Sequence, residues 1–254
     1  MKFFDVTGKK AVVTGGSVGL GRAMAEALAI GGAEVIIANR NLEEAEAAAQ
    51  EMRGAGLKVT AFQVDISKES SVAALFDHVR EKFGRLDIMV NNAGITCMKF
   101  CEDFELEDWD RISGVNIRGT FMCYKEAGKI MIPQKSGKII NLSSITAHKC
   151  LRNGSSFYSV TKQAISQMTK VLAAEWSKYG ITVNAIAPGV AITRINEEHY
   201  RKNPDLLAKV SAGIPLGRVS TTDEYMGITL FLASSASDYM TGQTLFMDGG
   251  MSIV

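Results

Sequence analysis

The run Thr14-Gly15-Gly16-Ser17-Val18-Gly19-Leu20-Gly21 decides how this chain is read. Apolar residues 11–14 lead into it, and an amphipathic stretch, 21–30, leaves it. A strand that turns on glycines into a helix can bend tightly and approach a pyrophosphate, which then sits at the positive end of the helix. The strict G-x-G-x-x-G spacing is not met, because Met24 occupies the third glycine position. At the first strand-to-helix turn the run still predicts a cofactor site around Gly15, Ser17, Gly19, Leu20 and Gly21, with a plain structural turn as the alternative.

Downstream, short apolar runs alternate with helical stretches. The runs are 11–14, 34–38, 59–63, 88–91, 138–142, 182–187 and 245–248. They are apolar throughout rather than at every second residue, as expected for parallel strands covered on both faces. Helical periodicity falls at 21–30, 42–55, 68–83, 107–132, 156–179 and 222–232. Asn41 with Glu44, and Thr221 with Glu224, have capping-box spacing. Right-handed crossovers would place helices on both faces, which predicts an α/β fold with a doubly wound parallel sheet in a single domain, 1–254. Residues 189–219 are too long and irregular for an ordinary connection and make a candidate lid over a site.

The 254 residues suffice for one large core, and a net charge of +1 gives no support for nucleic acid or a membrane surface as the main partner. The N-terminus lacks a secretory apolar stretch and no apolar run reaches spanning length, so the cytoplasm is the expected location. Cys97, Cys101, Cys123 and Cys150 show no Cys-x-x-Cys pairing and are read as reduced packing thiols, with no metal.

Two places carry chemistry. The second strand ends in Ala38-Asn39-Arg40. An Asp or Glu there would accept from an adenosine ribose hydroxyl and repel a 2′-phosphate; Asn39 does neither strongly, and Arg40 could clamp a phosphate. NADP is therefore expected, with NAD as the alternative; Arg40 pairing with Glu43 or Glu44 is the competing role. Further on, Tyr158 precedes Lys162 by four residues in a helical stretch, so the two share a face. An ammonium beside a phenol favours phenolate and lowers its pKa towards the useful range. The alternative is a pair of surface neighbours.

With these residues in view, the chain resembles the short-chain dehydrogenase/reductase family over essentially its whole length. The resemblance rests on Thr14-Gly-x-x-x-Gly19-x-Gly21, Asn91-Asn92-Ala93-Gly94, Asn116, Ser144, Tyr158-x-x-x-Lys162, Asn184-x-Ile-x-Pro188-Gly189 and Asp248-Gly249-Gly250. It implies a Rossmann-like domain, a nicotinamide cofactor and a metal-free hydride transfer. It also implies that Asp65 and Ile66 lie along the adenine, that Asn92, Ala93 and Gly94 line the cofactor, and that Pro188, Gly189, Val190 and Thr193 meet its nicotinamide end. The implied catalytic set is Asn116, Ser144, Tyr158 and Lys162. Tyr158 exchanges a proton with the substrate oxygen, Ser144 bonds the same oxygen, Lys162 tunes the phenol and holds the ribose, and Asn116 holds a relay water. Ser143 competes with Ser144. Family members usually form homotetramers or homodimers through the helices at 107–132 and 156–179.

Substrate contacts are expected from Ser144, Tyr158, Thr96 and His148. Lys149 and Arg152 would favour an anionic or hydroxyl-rich substrate, or are solvated loop charges. Within the family, the stretches 184–189, 231–238 and 248–251 resemble the gluconate 5-dehydrogenase and 2-deoxy-3-keto-sugar-acid dehydrogenase group. A 3-oxoacyl-[acyl-carrier-protein] reductase and a non-catalytic nicotinamide-sensing protein are the alternatives.

Overall fold

Among the residues described by the computed structural model, 2–151, 154–193 and 196–254, seven strands form one parallel sheet. They are β1 (Lys10–Thr14), β2 (Glu34–Asn39), β3 (Val59–Gln63), β4 (Ile88–Asn91), β5 (Gly137–Leu142), β6 (Ile181–Pro188) and β7 (Thr244–Met247), in the order β3-β2-β1-β4-β5-β6-β7. Between them run α1 (Gly19–Ile30), α2 (Leu42–Gly54), α3 (Glu69–Phe83), α4 (Leu106–Ser113), α5 (Thr120–Gln134), α6 (Ser156–Trp176), α7 (Glu197–Lys202), α8 (Pro204–Ala212) and α9 (Met226–Ala233).

Neighbouring side chains on a strand face opposite ways, and here both ways are buried. Val12 packs with Val72, Phe76 and Val79 of α3 and Ala127 of α5. Ala11 and Val13 belong instead to the cluster of Met24 and Leu28 from α1 and Leu232 from α9. This double cover is why the strands read as unbroken apolar runs rather than alternating ones.

The chain reverses direction across the sheet at β1, which pairs with β2 on one side and β4 on the other. Splaying loops open a crevice at the carboxyl ends there. Thr14, the last residue of β1, closes its floor: its hydroxyl oxygen accepts the N–H groups of Asn92 and Ala93, each at 3.1 Å. A second buried chain fixes β4, β5 and α6 together, with Asn91 Nδ2 donating to Asn141 Oδ1 at 3.0 Å and Asn141 Nδ2 to Thr169 Oγ1 at 2.9 Å.

Three sequence expectations need correction. The helix expected over 107–132 is two helices joined by a π turn, Gly114–Gly119, which contains Asn116. The segment 189–219, expected to be irregular, contains two helices, α7 and α8, the latter starting on Pro204, whose fixed φ suits a first helical position. Each capping box is half made. Glu44 N–H donates to Asn41 Oδ1, but among the described residues the Glu44 carboxylate returns no bond to Asn41. At the other, Glu224 accepts the Thr221 N–H at 2.9 Å and takes Arg218 in a two-point ion pair at 2.8 and 2.7 Å.

Candidate active site

Gly15 and Gly19 have φ values of +65° and +57°, the left-handed region that a side chain resists. Gly21 is required for a different reason. A Cβ there would lie 2.1 Å from Gly15 O and 2.3 Å from Asn92 Nδ2. That amide donates to Thr14 O at 3.0 Å and to Gly15 O at 2.9 Å, pulling the glycine turn onto the end of β4. The result is a cleft of about 470 Å³ that runs from Arg40, Asp65 and Ile66 past Gly15 and Gly19 to Gly94 and Tyr158.

At its far end the cleft continues into a space of about 510 Å³ bounded by Thr96, Ser144, Lys162, Pro188, Gly189 and Val190. Leu20, Asn92, Gly94, Tyr158 and Thr193 border both parts, so the two are one elongated depression. Ala93 and Asn39 lie on the first part. Side-chain-free glycines, a helix N-terminus and a buried Asn39 Oδ1 with no partner among the described residues make a cradle that fits a dinucleotide.

Asn116 acts as a clamp. Its Oδ1 accepts from Ile95 N at 2.8 Å, and its Nδ2 donates to Ile95 O at 2.9 Å and Thr161 Oγ1 at 3.0 Å. The π turn therefore ties the extension of β4 to α6. Tyr158 and Lys162 sit on the first turns of α6, with the ammonium 5.7 Å from the centre of the phenol ring. Lys162 Nζ donates to Leu142 O at 2.7 Å. Ser144, just past β5, accepts from Thr146 N at 3.1 Å and Thr146 Oγ1 at 3.0 Å, and lies close enough to Tyr158 that, against the larger upward push of burial, it pulls the phenol's pKa down.

Ser143 turns away from the cleft centre, donating to Lys162 O at 3.0 Å and lying 2.7 Å from Ser166 Oγ. His148 is not brought to the cleft: its Nε2 lies 3.3 Å from Ser166 Oγ and its ring meets Phe246 edge-on at 4.9 Å. Lys149 is committed to the main-chain carbonyls of Met251 and Val254. Arg152 lies outside the described residues. Ser17 is buried behind the glycine turn, where Asn39 Nδ2 donates to its Oγ at 2.5 Å and that hydroxyl donates to Glu44 Oε1 at 2.6 Å. Among the described residues Arg40 pairs with neither Glu43 nor Glu44; a Ser67 hydrogen bond lowers the pKa of the Asp65 carboxylate, and the Arg40 charge helps to lower it.

Sequence reading missed two supports. Asn196 shapes the loop after β6, accepting from Thr193 N at 2.7 Å and donating to Ala191 O at 2.9 Å. Its side chain reaches back three residues to Thr193, a contact that no turn pattern in the sequence marks. Thr161 links Asn116 to the Tyr158 carbonyl, and no pattern marks it.

The expected lowering of the phenol pKa is reversed in this structure. Burial raises Tyr158 above the usual phenol range, and only the Ser144 hydrogen bond works the other way. Burial also pushes Lys162 down to about 8 from its ordinary 10.5. Between those values the unfolded chain binds more protons than the folded one, so this contribution to stability rises with pH. Cys123, pushed up to about 12 by burial from an ordinary 9.0, opposes it above pH 9. Wild type should therefore gain about 1 kcal/mol over Lys162→Met between pH 7 and 9 in urea unfolding. A pH-independent gap between the two would contradict a buried, depressed ammonium.

A family model described as enoyl-(acyl carrier protein) reductase matches residues 15–252. The chain belongs to the short-chain dehydrogenase/reductase family. Its relatives in that family include the uncharacterized oxidoreductase YgcW of Escherichia coli, 42% identical over 98% of this chain and 95% of that protein. The D-threitol dehydrogenase of Mycolicibacterium smegmatis is 37% identical over 98% of this chain and 95% of its own length. A crystal structure of a gluconate 5-dehydrogenase from Burkholderia cenocepacia, in complex with NADP and tartrate, superposes with a TM-score of 0.93. It is 35% identical and covers 100% of this chain and 98% of that one. The seven-stranded Rossmann-like sheet expected from the sequence is the fold these family members share.

Proposed function

We propose that this chain is an NAD(P)-dependent oxidoreductase interconverting a secondary alcohol and a ketone, on a small sugar-acid or polyol substrate. The observation that carries the reading is the single cleft with a glycine cradle at one end and Ser144, Tyr158 and Lys162 together at the other. When bound, the nicotinamide supplies hydride in reduction and takes it in oxidation. Gly15, Gly19, Leu20 and Gly21 would hold the phosphates, with Ser17 behind them and its hydroxyl committed to Glu44 and Asn39, and Asn39, Arg40, Asp65 and Ile66 would hold the adenosine. Asn92, Ala93, Gly94, Pro188, Gly189, Val190 and Thr193 would border the nicotinamide end.

In reduction the Tyr158 hydroxyl hands its proton to the substrate oxygen, while Ser144 bonds that oxygen as negative charge develops. The resting phenol is a weak acid, and the phenolate left behind is where Lys162 acts. With the cation 5.7 Å from the ring centre, the attraction is on the order of 3 kcal/mol at an effective dielectric of about 20. Asn116 holds Ile95 and α6 in register, and its carbonyl, already taking Thr120 Oγ1 at 2.8 Å, keeps a lone pair for a relay water.

Arg40, free of ion pairs with Glu43 and Glu44, favours NADP over NAD. A sugar acid or polyol suits a wall of Thr96, Ser144, Thr146 and Asn196, and agrees with the names of the relatives. The segment 189–219, with α7 and α8, would serve as the lid of a single domain, 1–254. Exposed Phe121, Val160 and Val171 on α5 and α6 support a homotetramer or homodimer, checked by the mass from light scattering.

The functional test is substrate-dependent NADPH oxidation over a panel of keto sugar acids, ketoses and acetoacetyl thioesters. Turnover of sugar-derived ketones is expected. Turnover of thioesters alone would favour an acyl-carrier-protein reductase, and tight NADPH binding with no turnover would favour a sensor.

A further inference from the structure

We infer that Glu44, acting through Ser17 and Asn39, limits this enzyme's preference for the phosphorylated cofactor. The inference rests on the proposed nicotinamide-dependent function and adds a residue to it. Glu44 lies in the first turn of α2, outside the strand end that reads the ribose. Its carboxylate leaves the capping box unfinished and instead takes the Ser17 hydroxyl at 2.6 Å.

That bond has a consequence one residue further. A serine hydroxyl has one proton, and here it goes to Glu44. Ser17 can then only accept from Asn39, which it does at 2.5 Å through Asn39 Nδ2. The amide is thereby oriented, and its remaining atom, Oδ1, is buried with no partner among the described residues. An orphaned acceptor calls for a donor. Asn39 lines the cleft, and a ribose 2′-hydroxyl that reached Oδ1 as the side chain adjusts to the cofactor would supply one, whereas an ionised 2′-phosphate presents acceptors only. The Glu44 charge adds repulsion of the same sign. Arg40, on the other side of Asn39, pulls the opposite way, so the ratio of NADP to NAD binding reflects a contest between Arg40 and Glu44.

Two substitutions separate the orienting effect from the charge. Glu44→Ala frees the Ser17 proton, which can then go to Asn39 Oδ1 and let the amide turn its N–H₂ towards a phosphate. Glu44→Gln keeps an acceptor for Ser17 and removes only the charge. Dissociation constants of NADPH and NADH are measured by calorimetry on the full chain, together with those of 2′,5′-ADP and 5′-AMP. The NADPH-to-NADH affinity ratio should rise about tenfold in Glu44→Ala and about threefold in Glu44→Gln, the size of one charge-assisted hydrogen bond and of a screened surface charge. The 2′,5′-ADP ratio should follow, which a merely loosened α2 would not produce.

Arg40→Ala serves as the control and should lower the ratio. If Arg40→Ala lowers it while both Glu44 variants leave it within about twofold of wild type, Glu44 is not a discriminator and the inference is overturned alone. If wild type binds neither dinucleotide, the proposed function falls and takes this inference with it. Glu44→Gln preserves the Ser17 contact and helix propensity, so the test stands even where the alanine variant folds poorly.

Discussion

Replacing Tyr158 with phenylalanine is expected to lower turnover at least about a thousandfold while leaving nicotinamide binding within about twofold of wild type. The change removes one oxygen. The ring, with Lys162 Nζ 5.7 Å from its centre, keeps its packing on the first turns of α6. What goes is the proton that the substrate oxygen would receive and the hydroxyl's interaction with Ser144. Because Lys162 is held independently by Leu142 O at 2.7 Å, the nicotinamide end of the cleft should not collapse. The pH profile of wild type follows from the same geometry. With the phenol raised by burial, reduction should hold through neutral pH, where Tyr158 carries its proton, and oxidation should accelerate into the alkaline range as phenolate forms. Turnover retained in Tyr158→Phe, measured by initial rates beside dinucleotide affinity, would assign the proton to another group.

Gly21→Ala is expected to abolish dinucleotide binding and to destabilise the fold by about 3 kcal/mol, or about 10 °C in Tm for a chain of this size. The added methyl meets Gly15 O at 2.1 Å and Asn92 Nδ2 at 2.3 Å. The first is backbone and cannot swing aside, and the second already holds Thr14 O and Gly15 O. Relief therefore means moving the glycine turn off β4, which opens the cradle as well as the core. Gly227→Ala in α9 is the control. Nothing lies within 4 Å of a Cβ there, so helix propensity should make that change neutral or stabilising by about 0.5 kcal/mol. Equal melting temperatures for the two variants would show that the glycine turn tolerates a side chain.

The doubly wound sheet was legible because burial on both faces writes itself into sequence as unbroken apolar runs, and β1 through β7 fall within one or two residues of those runs. The glycine turn and the Tyr158–Lys162 spacing were legible because each depends on local backbone geometry. The π turn at Gly114–Gly119 was not, since one widened turn inside a long helix leaves its apolar periodicity nearly unchanged. Nor were α7 and α8, six and nine residues long: among their described residues none is fully buried, and in α8 only the half-buried Leu207 and Val210 mark a short apolar stripe. The phenol's raised pKa was invisible for a different reason. Spacing tells which residues are neighbours, but desolvation depends on the whole wall around them. His148 failed likewise, because only the fold shows that Ser166 and Phe246 claim its ring. Glu44 looked like half of a helix cap, and its reach across 27 positions to Ser17 is a tertiary fact.

The most direct test of the account is to reduce a keto sugar acid with NADPH deuterated at the hydride-transferring carbon and to follow the product by mass spectrometry. The account predicts an alcohol carrying one deuterium on the former carbonyl carbon, formed by wild type and lost in Tyr158→Phe. Product without the label, or labelled product formed equally well by Tyr158→Phe, would contradict it.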